Sequence, residues 1–449
     1  MKQLAWLGAL CSMLIFGTVA FAQSDLPEMQ AWMAASANEG TLAPGTKITT
    51  ANWQQYKQFL PVSMQALFAG TYFWKMPADA EIDIGPTAHN LLPTTFLAAT
   101  EKYGAQTKLV RLPNNHIEMQ NYHGGVPFPN PQPSDPDMGT KLLVNLFYAY
   151  VPAIYLNATN NTGSLWFQDR FGNISAQTID VVYRQSGWNT DPGFPVDLDY
   201  APGTWYTEWS MVETPEQSKY TALLSLFYKD EQTHPFPDTY VFVPALRRSL
   251  RLSVSARCAP IYGSDWTNDD AKTIGFNGGT SLFHGTMLGG RKVINLNDYN
   301  QDYSQFPKNW DMPLGFPKPS WGQWQVRDVW VDDVRRIPSE AAGYCYGSRM
   351  LYVDKETYYT DWSDLYDSNM KLWKAQFWGA RIRPVPGVGR VITNSVGAVT
   401  WDLQNAHASY WSSAGNPAGA DPIFNTDVPK EYQDGIRYGS PSGLMQIMR

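Results

Sequence analysis

The chain has 449 residues, 43% hydrophobic and 17% charged, which is enough apolar sequence to bury a large core and too much for a disordered chain. Gly 35, Pro 32 and an aromatic share of 14% point to a loop-rich protein built largely of strands. A net charge of -7 sets nucleic acid aside as a partner.

Residues 1–22 place Lys2 ahead of an apolar run from Leu4 to Val19 and end on Ala20-Phe21-Ala22, the pattern of a cleaved secretory leader. The run is short for a membrane anchor, and Cys11 lies inside it. The expected mature chain therefore starts at Gln23, is periplasmic and has no transmembrane segment. Loss of Cys11 leaves Cys258 and Cys345, an even pair in an oxidising compartment, as either a disulfide or two buried thiols.

Residues 26–38 read as a helix stopped by Gly40. Trp53, Tyr56, Leu60, Met64 and Leu67 then recur at helical spacing, with Pro61 as a kink or second start and Gly70 as the end. Residues 23–70 are thus expected as an amino-terminal helical segment, and 71–449 as a β domain. In the latter, β-rich runs alternate with turn signals: 71–76, 81–84, 108–112, 164–169, 174–184, 204–213, 219–228, 239–254 broken at Pro244, 292–296, 323–337, 347–353, 357–365, 371–382 and 390–401. Such a succession predicts a mainly β protein, a large curved antiparallel meander. The apolar run 142–156, broken by Asn145 and Pro152, reads as a core element.

Alternation in 246–254 puts Arg248 on the face of Leu246, Leu250 and Leu252. A guanidinium there needs a carboxylate, a wet cavity or open solvent. No GxSxG elbow, Walker loop or HExxH occurs. Residues 265–270 fail as a calcium loop, with Asp270 at the sixth position and Phe276 at the twelfth. Asp332 and Asp333, adjacent on a strand, face opposite ways and cannot form one catalytic pair. No catalytic residue, metal or cofactor is expected.

Four stretches carry a resemblance. They are Asn52-Trp-Gln-Gln-Tyr56 through Tyr72-Phe-Trp-Lys-Met-Pro77, Tyr240-Val-Phe-Val-Pro-Ala-Leu-Arg-Arg-Ser-Leu-Arg251, Gly263-Ser-Asp-Trp-Thr-Asn-Asp-Asp270, and Gly347-Ser-Arg-Met-Leu-Tyr-Val-Asp-Lys-Glu-Thr-Tyr358. In this order they resemble the LolA/LolB-like lipoprotein-sorting superfamily, and within it a large envelope family of unknown function often labelled outer membrane lipoprotein-sorting protein. The resemblance implies a half-open barrel with amino-terminal and lid helices, holding a hydrophobic small molecule or lipid without catalysis. An envelope exporter or outer-membrane acceptor would be its partner. On that reading Trp53, Tyr56 and Leu60 are lid candidates. Arg248 is expected to pair with Asp269 or Asp270 and pin the loop over the cavity. This chain is about twice as long as the small carriers, so their cargo does not transfer to it. A carbohydrate-active enzyme, with two convergent carboxylates in a tryptophan-lined cleft, and an assembly protein of the outer envelope are the competing readings.

Overall fold

The computed structural model describes residues 22–35, 40–89, 91–158, 163–194, 202–253, 257–270, 272, 275–297, 308–412 and 422–447. The expected leader lies outside them except for Ala22.

Fifteen strands form one antiparallel sheet, built from two meanders. The first runs through Gly163–Gln168, Ile174–Gln185, Thr204–Thr214, Ala222–Tyr228, Asp238–Val243 and Arg248–Arg251. The second runs through Phe283–Asn295, Gln325–Arg336, Ser348–Asp354, Thr360–Tyr366, Leu372–Val385, Gly389–Asp402 and His407–Ser412. They join where His407–Ser412 pairs with Gly163–Gln168. Ile154–Asn157 and Ile423–Phe424 add on beside Ile174–Gln185. Arg248–Arg251 and Phe283–Asn295 end the strand order and do not pair with each other, so the sheet is open. Register shifts such as those at Met287/Gly289 and Gly379/Arg381 bend and twist its strands.

Both faces are covered. On Ser348–Asp354, Met350 and Tyr352 enter a core with Trp32, Leu60, Met64 and Trp74, while Leu351 and Val353 enter another with Leu142, Phe147, Phe276 and Phe283. We call the second the inner face. Against the outer face of the first meander lie Val428, Tyr438 and Leu444, packed on Val182, Trp209 and Leu224.

The Met138–Phe147 helix meets the inner face backbone to backbone, since a Cβ on Gly139 would lie 2.4 Å from the Gly285 carbonyl carbon. Only paired glycines permit that approach. They also explain why residues 283–291 do not read as a strand in the sequence: Gly285 and the bulge glycine Gly289, at φ 141°, look like loop. At the same contact Asp332 is fully buried, and neither carboxylate oxygen has a hydrogen-bond partner among the described residues.

Residues 71–76 form no strand. Their Trp74 instead plugs the outer core, its indole N–H shared by the Asp402 and His407 carbonyls at 3.1 Å each. The stripe from Trp53 to Leu67 resolves into two 3-10 turns and the Val62–Ala69 helix, so Pro61 starts a second element. That helix is capped from the sheet. Ser63 N donates to Asp364 Oδ2 at 3.2 Å, and the Tyr352 hydroxyl, which accepts from Val62 N, donates to the same oxygen at 2.7 Å. The run 142–156 divides into the end of the inner helix and the Ile154–Asn157 strand.

Candidate functional site

The inner face of the sheet is plugged by the segment that follows the edge strand, and four anchors hold that segment. Cys258 and Cys345 are joined in a disulfide, with Cα atoms 5.8 Å apart. Asp265 accepts from Ser409 Oγ at 2.6 Å and pairs with His407 Nδ1 at 2.8 Å, an interaction that raises the imidazole's pKa. Asp269 takes Arg257 Nε at 2.6 Å and Arg336 at 3.1 Å. Asp270 takes Arg349 at 2.5 Å, the Thr267 amide at 2.8 Å and the Tyr346 hydroxyl at 2.9 Å. Burial alone would push the Asp269 carboxyl up, but Arg257, Arg336 and Arg349 outweigh it and hold it below its ordinary value. Thiol counting on the denatured, unreduced protein should find neither Cys258 nor Cys345 free; two reactive thiols would contradict the bond.

This arrangement corrects the expected partner of Arg248. Pro244–Leu246 forms a 3-10 turn and Arg247 sits at φ 49°, so the break at Pro244 is the turn of a hairpin between Asp238–Val243 and Arg248–Arg251. Arg248 stands exposed at the head of the edge strand. Buried Arg257, Arg336 and Arg349 hold the two carboxylates, and their sequence distances of 12, 67 and 79 residues left no local signal. The lid candidates also move. Leu60 is buried in the outer core, Trp53 stacks on Phe68 with centroids 5.4 Å apart, and Tyr56 packs beside them. They cover the face opposite the plug.

Between the plug and the first meander lies an apolar cleft of about 90 Å³. Leu165, Ile179 and Val181 form its floor, and Trp378 and Trp411 join them from the strands alongside. Tyr262 and Trp266 of the plug form its roof. Trp266 and Trp378 lie 5.8 Å apart. The roof is the tip of a small hairpin, bridged at Pro260↔Thr267 and turned through Tyr262 at φ 50° and Gly263 at φ 83°. The Tyr262 hydroxyl meets Ser210 Oγ at 2.8 Å and donates to the Ser210 carbonyl at 3.2 Å. Among the described residues lining this cleft none is a carboxylate.

Deeper on the same face sits a second polar group that sequence spacing could not reveal. Lys272 is buried, donates to the Phe147 carbonyl and lies over the rings of Phe147, Trp205 and Tyr206, 4.4 to 5.1 Å from their centroids. Burial lowers its pKa and raises that of Glu208. Among the described residues no cluster of three or more His, Cys, Asp or Glu is placed to hold a metal ion.

The fold is thus that of a mainly β protein with an open antiparallel sheet plugged by its own chain. Residues 47–434 match the family described as protein of unknown function DUF1329, and the chain belongs to that family. Of solved structures, it is similar to an outer membrane lipoprotein-sorting protein domain from Vibrio parahaemolyticus, at 12% identity and TM-score 0.44, covering 67% of this chain and 99% of that one. A DUF1329 family protein from Desulfovibrio piger gives 14% and 0.44, covering 68% and 100%. A LolA superfamily protein from Nitrosomonas europaea gives 13% and 0.37, covering 65% and 96%. Comparison with curated proteins finds no match.

Proposed function

We propose that this protein binds a hydrophobic ligand in the cell envelope, carrying or presenting it to an exporter or outer-membrane acceptor. The observation that supports the reading is the apolar cleft, whose floor belongs to the sheet and whose roof is a hairpin tip carrying Tyr262 and Trp266. A volume of about 90 Å³ takes only a few methylene groups. A longer chain enters by lifting the tip, while the disulfide and the Asp269 and Asp270 ion pairs keep the base of the hairpin in place. Each methylene then shielded from water contributes about 0.8 kcal/mol. The leader pattern and the disulfide both suit an oxidising, exported setting, and no helix among the described residues is long and apolar enough to cross a membrane.

Titration with a fluorescent fatty-acid analogue, read by energy transfer from the cleft tryptophans, should saturate at one site. Ile179→Glu, which puts a carboxylate on the cleft floor, should weaken that binding roughly a hundredfold, because a carboxylate facing an acyl chain leaves its hydration unreplaced. Tyr262→Phe, which loosens the tip, should bind at least as tightly as the parent. Non-saturable uptake, or equal affinity in Ile179→Glu, would sink the proposal.

A further inference from the structure

One rim of the sheet gathers three successive turns. Residues 169–173 lie within the pair Gln168↔Ile174, 212–221 within Met211↔Ala222, and 244–247 within Val243↔Arg248. Phe171 projects from the first turn at 82% exposure, and Leu246 from the third at 54%. Neither projection is a loose loop. Asp169 Oδ1 accepts from the Phe171 and Asn173 amides at 2.8 and 3.0 Å, and Asn173 Nδ2 donates to Asp169 Oδ2 at 2.8 Å. Leu246 ends a 3-10 turn closed by Arg247 N donating to the Pro244 carbonyl at 3.0 Å.

Basic side chains flank both apolar ones. Arg170 adjoins Phe171, Arg247 and Arg248 follow Leu246, all three are exposed, and Lys219 lies on the turn between. The acids of these three turns are Asp169, hydrogen-bonded inside its own turn, Glu216, 3.9 Å from Lys219, and Glu213 at the base of the middle turn, while Asp265 and Asp402 face His407 beside the first turn. The two projecting tips, with Arg170 beside Phe171 and Arg247 and Arg248 beside Leu246, are therefore locally cationic on a chain of net charge -7.

We propose that this rim docks on an anionic lipid surface, with Phe171 and Leu246 entering the interface and Arg170, Arg247 and Arg248 meeting the headgroup phosphates. Four strand spacings across the sheet, about 19 Å, and a register offset of about five residues along it separate the two prongs. Two apolar points so far apart give no continuous apolar centre for a protein partner, whereas a lipid interface accepts each separately. Docking of the rim does not depend on whether the cleft takes a ligand.

The test is flotation of the purified protein with vesicles of phosphatidylcholine alone or mixed with phosphatidylglycerol. The protein should float with the mixed vesicles, less so at high salt, and stay behind with the neutral ones. Phe171→Ser combined with Leu246→Ser should cut partitioning roughly tenfold or more, and Arg170→Gln and Arg248→Gln about fivefold each. Thermal melts of all variants should match the parent, because these side chains are exposed. Failure of the parent to float with anionic vesicles, or equal flotation of the double serine variant, would overturn the proposal. So would capture of a protein partner through the same residues without any binding to vesicles.

Discussion

Replacing Arg349 by methionine is expected to destabilise the protein by about 3 to 5 kcal/mol, the range for removing one member of a buried ion pair. Arg349 and Asp270 are both fully buried, and Asp270 would keep only Thr267 and Tyr346 as donors. Asp270→Asn should be equally harmful for the opposite reason, since it strands a guanidinium among the Tyr344 and Tyr346 rings. The double variant should lose clearly less than the two single losses combined, because neither charge is then orphaned. Denaturant unfolding of the four proteins measures the coupling, and additivity within about 0.5 kcal/mol would show that the pair does not act as a unit. The neighbouring Asp269 gives the cluster an acid limit. Its folded pKa is depressed, so its contribution is complete above the ordinary aspartate value and is lost as the pH falls through the folded one.

For Asp332 the sign is reversed. Burial, and secondarily the charge of Asp333, raise its carboxyl well above the ordinary range. Among the described residues around it, Gly139 of the inner helix crowds it and Met287 and Leu351 lie opposite on the flanking strands. The folded state therefore retains a proton that the unfolded chain releases, and stability falls with rising pH by about 1.4 kcal/mol per unit until the folded carboxyl ionises. Asp332→Asn removes this dependence. Its stability relative to the parent should climb as the pH rises above the ordinary aspartate range, in thermal or denaturant melts. Parallel curves for the two proteins would show that Asp332 is not held protonated.

Alternation and turn residues made most of the sheet legible in the sequence: runs such as 174–184, 347–353 and 390–401 fall on strands. Periodicity failed where backbone contact rather than side-chain pattern decides the structure. Gly285 and Gly289 disguise the first half of the Phe283–Asn295 edge strand, because the close helix approach and the bulge both require glycine there. Thr94–Tyr103 is a helix with Phe96 as its one buried residue, so it presents almost no apolar stripe to recognise. In the Asp-Trp-Thr-Asn-Asp-Asp motif the carboxylates of Asp269 and Asp270 are held by arginines that the motif itself does not reveal. Arg248 lies nearby along the chain, yet the carboxylates are held by Arg336 and Arg349, inward-facing residues of separate strands whose alternation gives no partner. The cleft was equally hidden, since Trp266, Trp378 and Trp411 converge only through the strand order.

The pairing of His407–Ser412 with Gly163–Gln168 also sets an order of assembly. Each meander zips up from near neighbours in the chain, but the seam joins residues as far apart as Tyr410 and Gln168, whose side chains bond at 2.7 Å across 242 positions. Until the last strand has emerged, both half-sheets present raw edges, Gly163–Gln168 on one and Gly389–Asp402 on the other, each able to template pairing with a second chain. Joining them is the slow, non-local event of folding. A chain emerging from its amino terminus exposes the Gly163–Gln168 edge from early on, and that edge stays open until His407–Ser412, more than two hundred residues later, arrives to cover it.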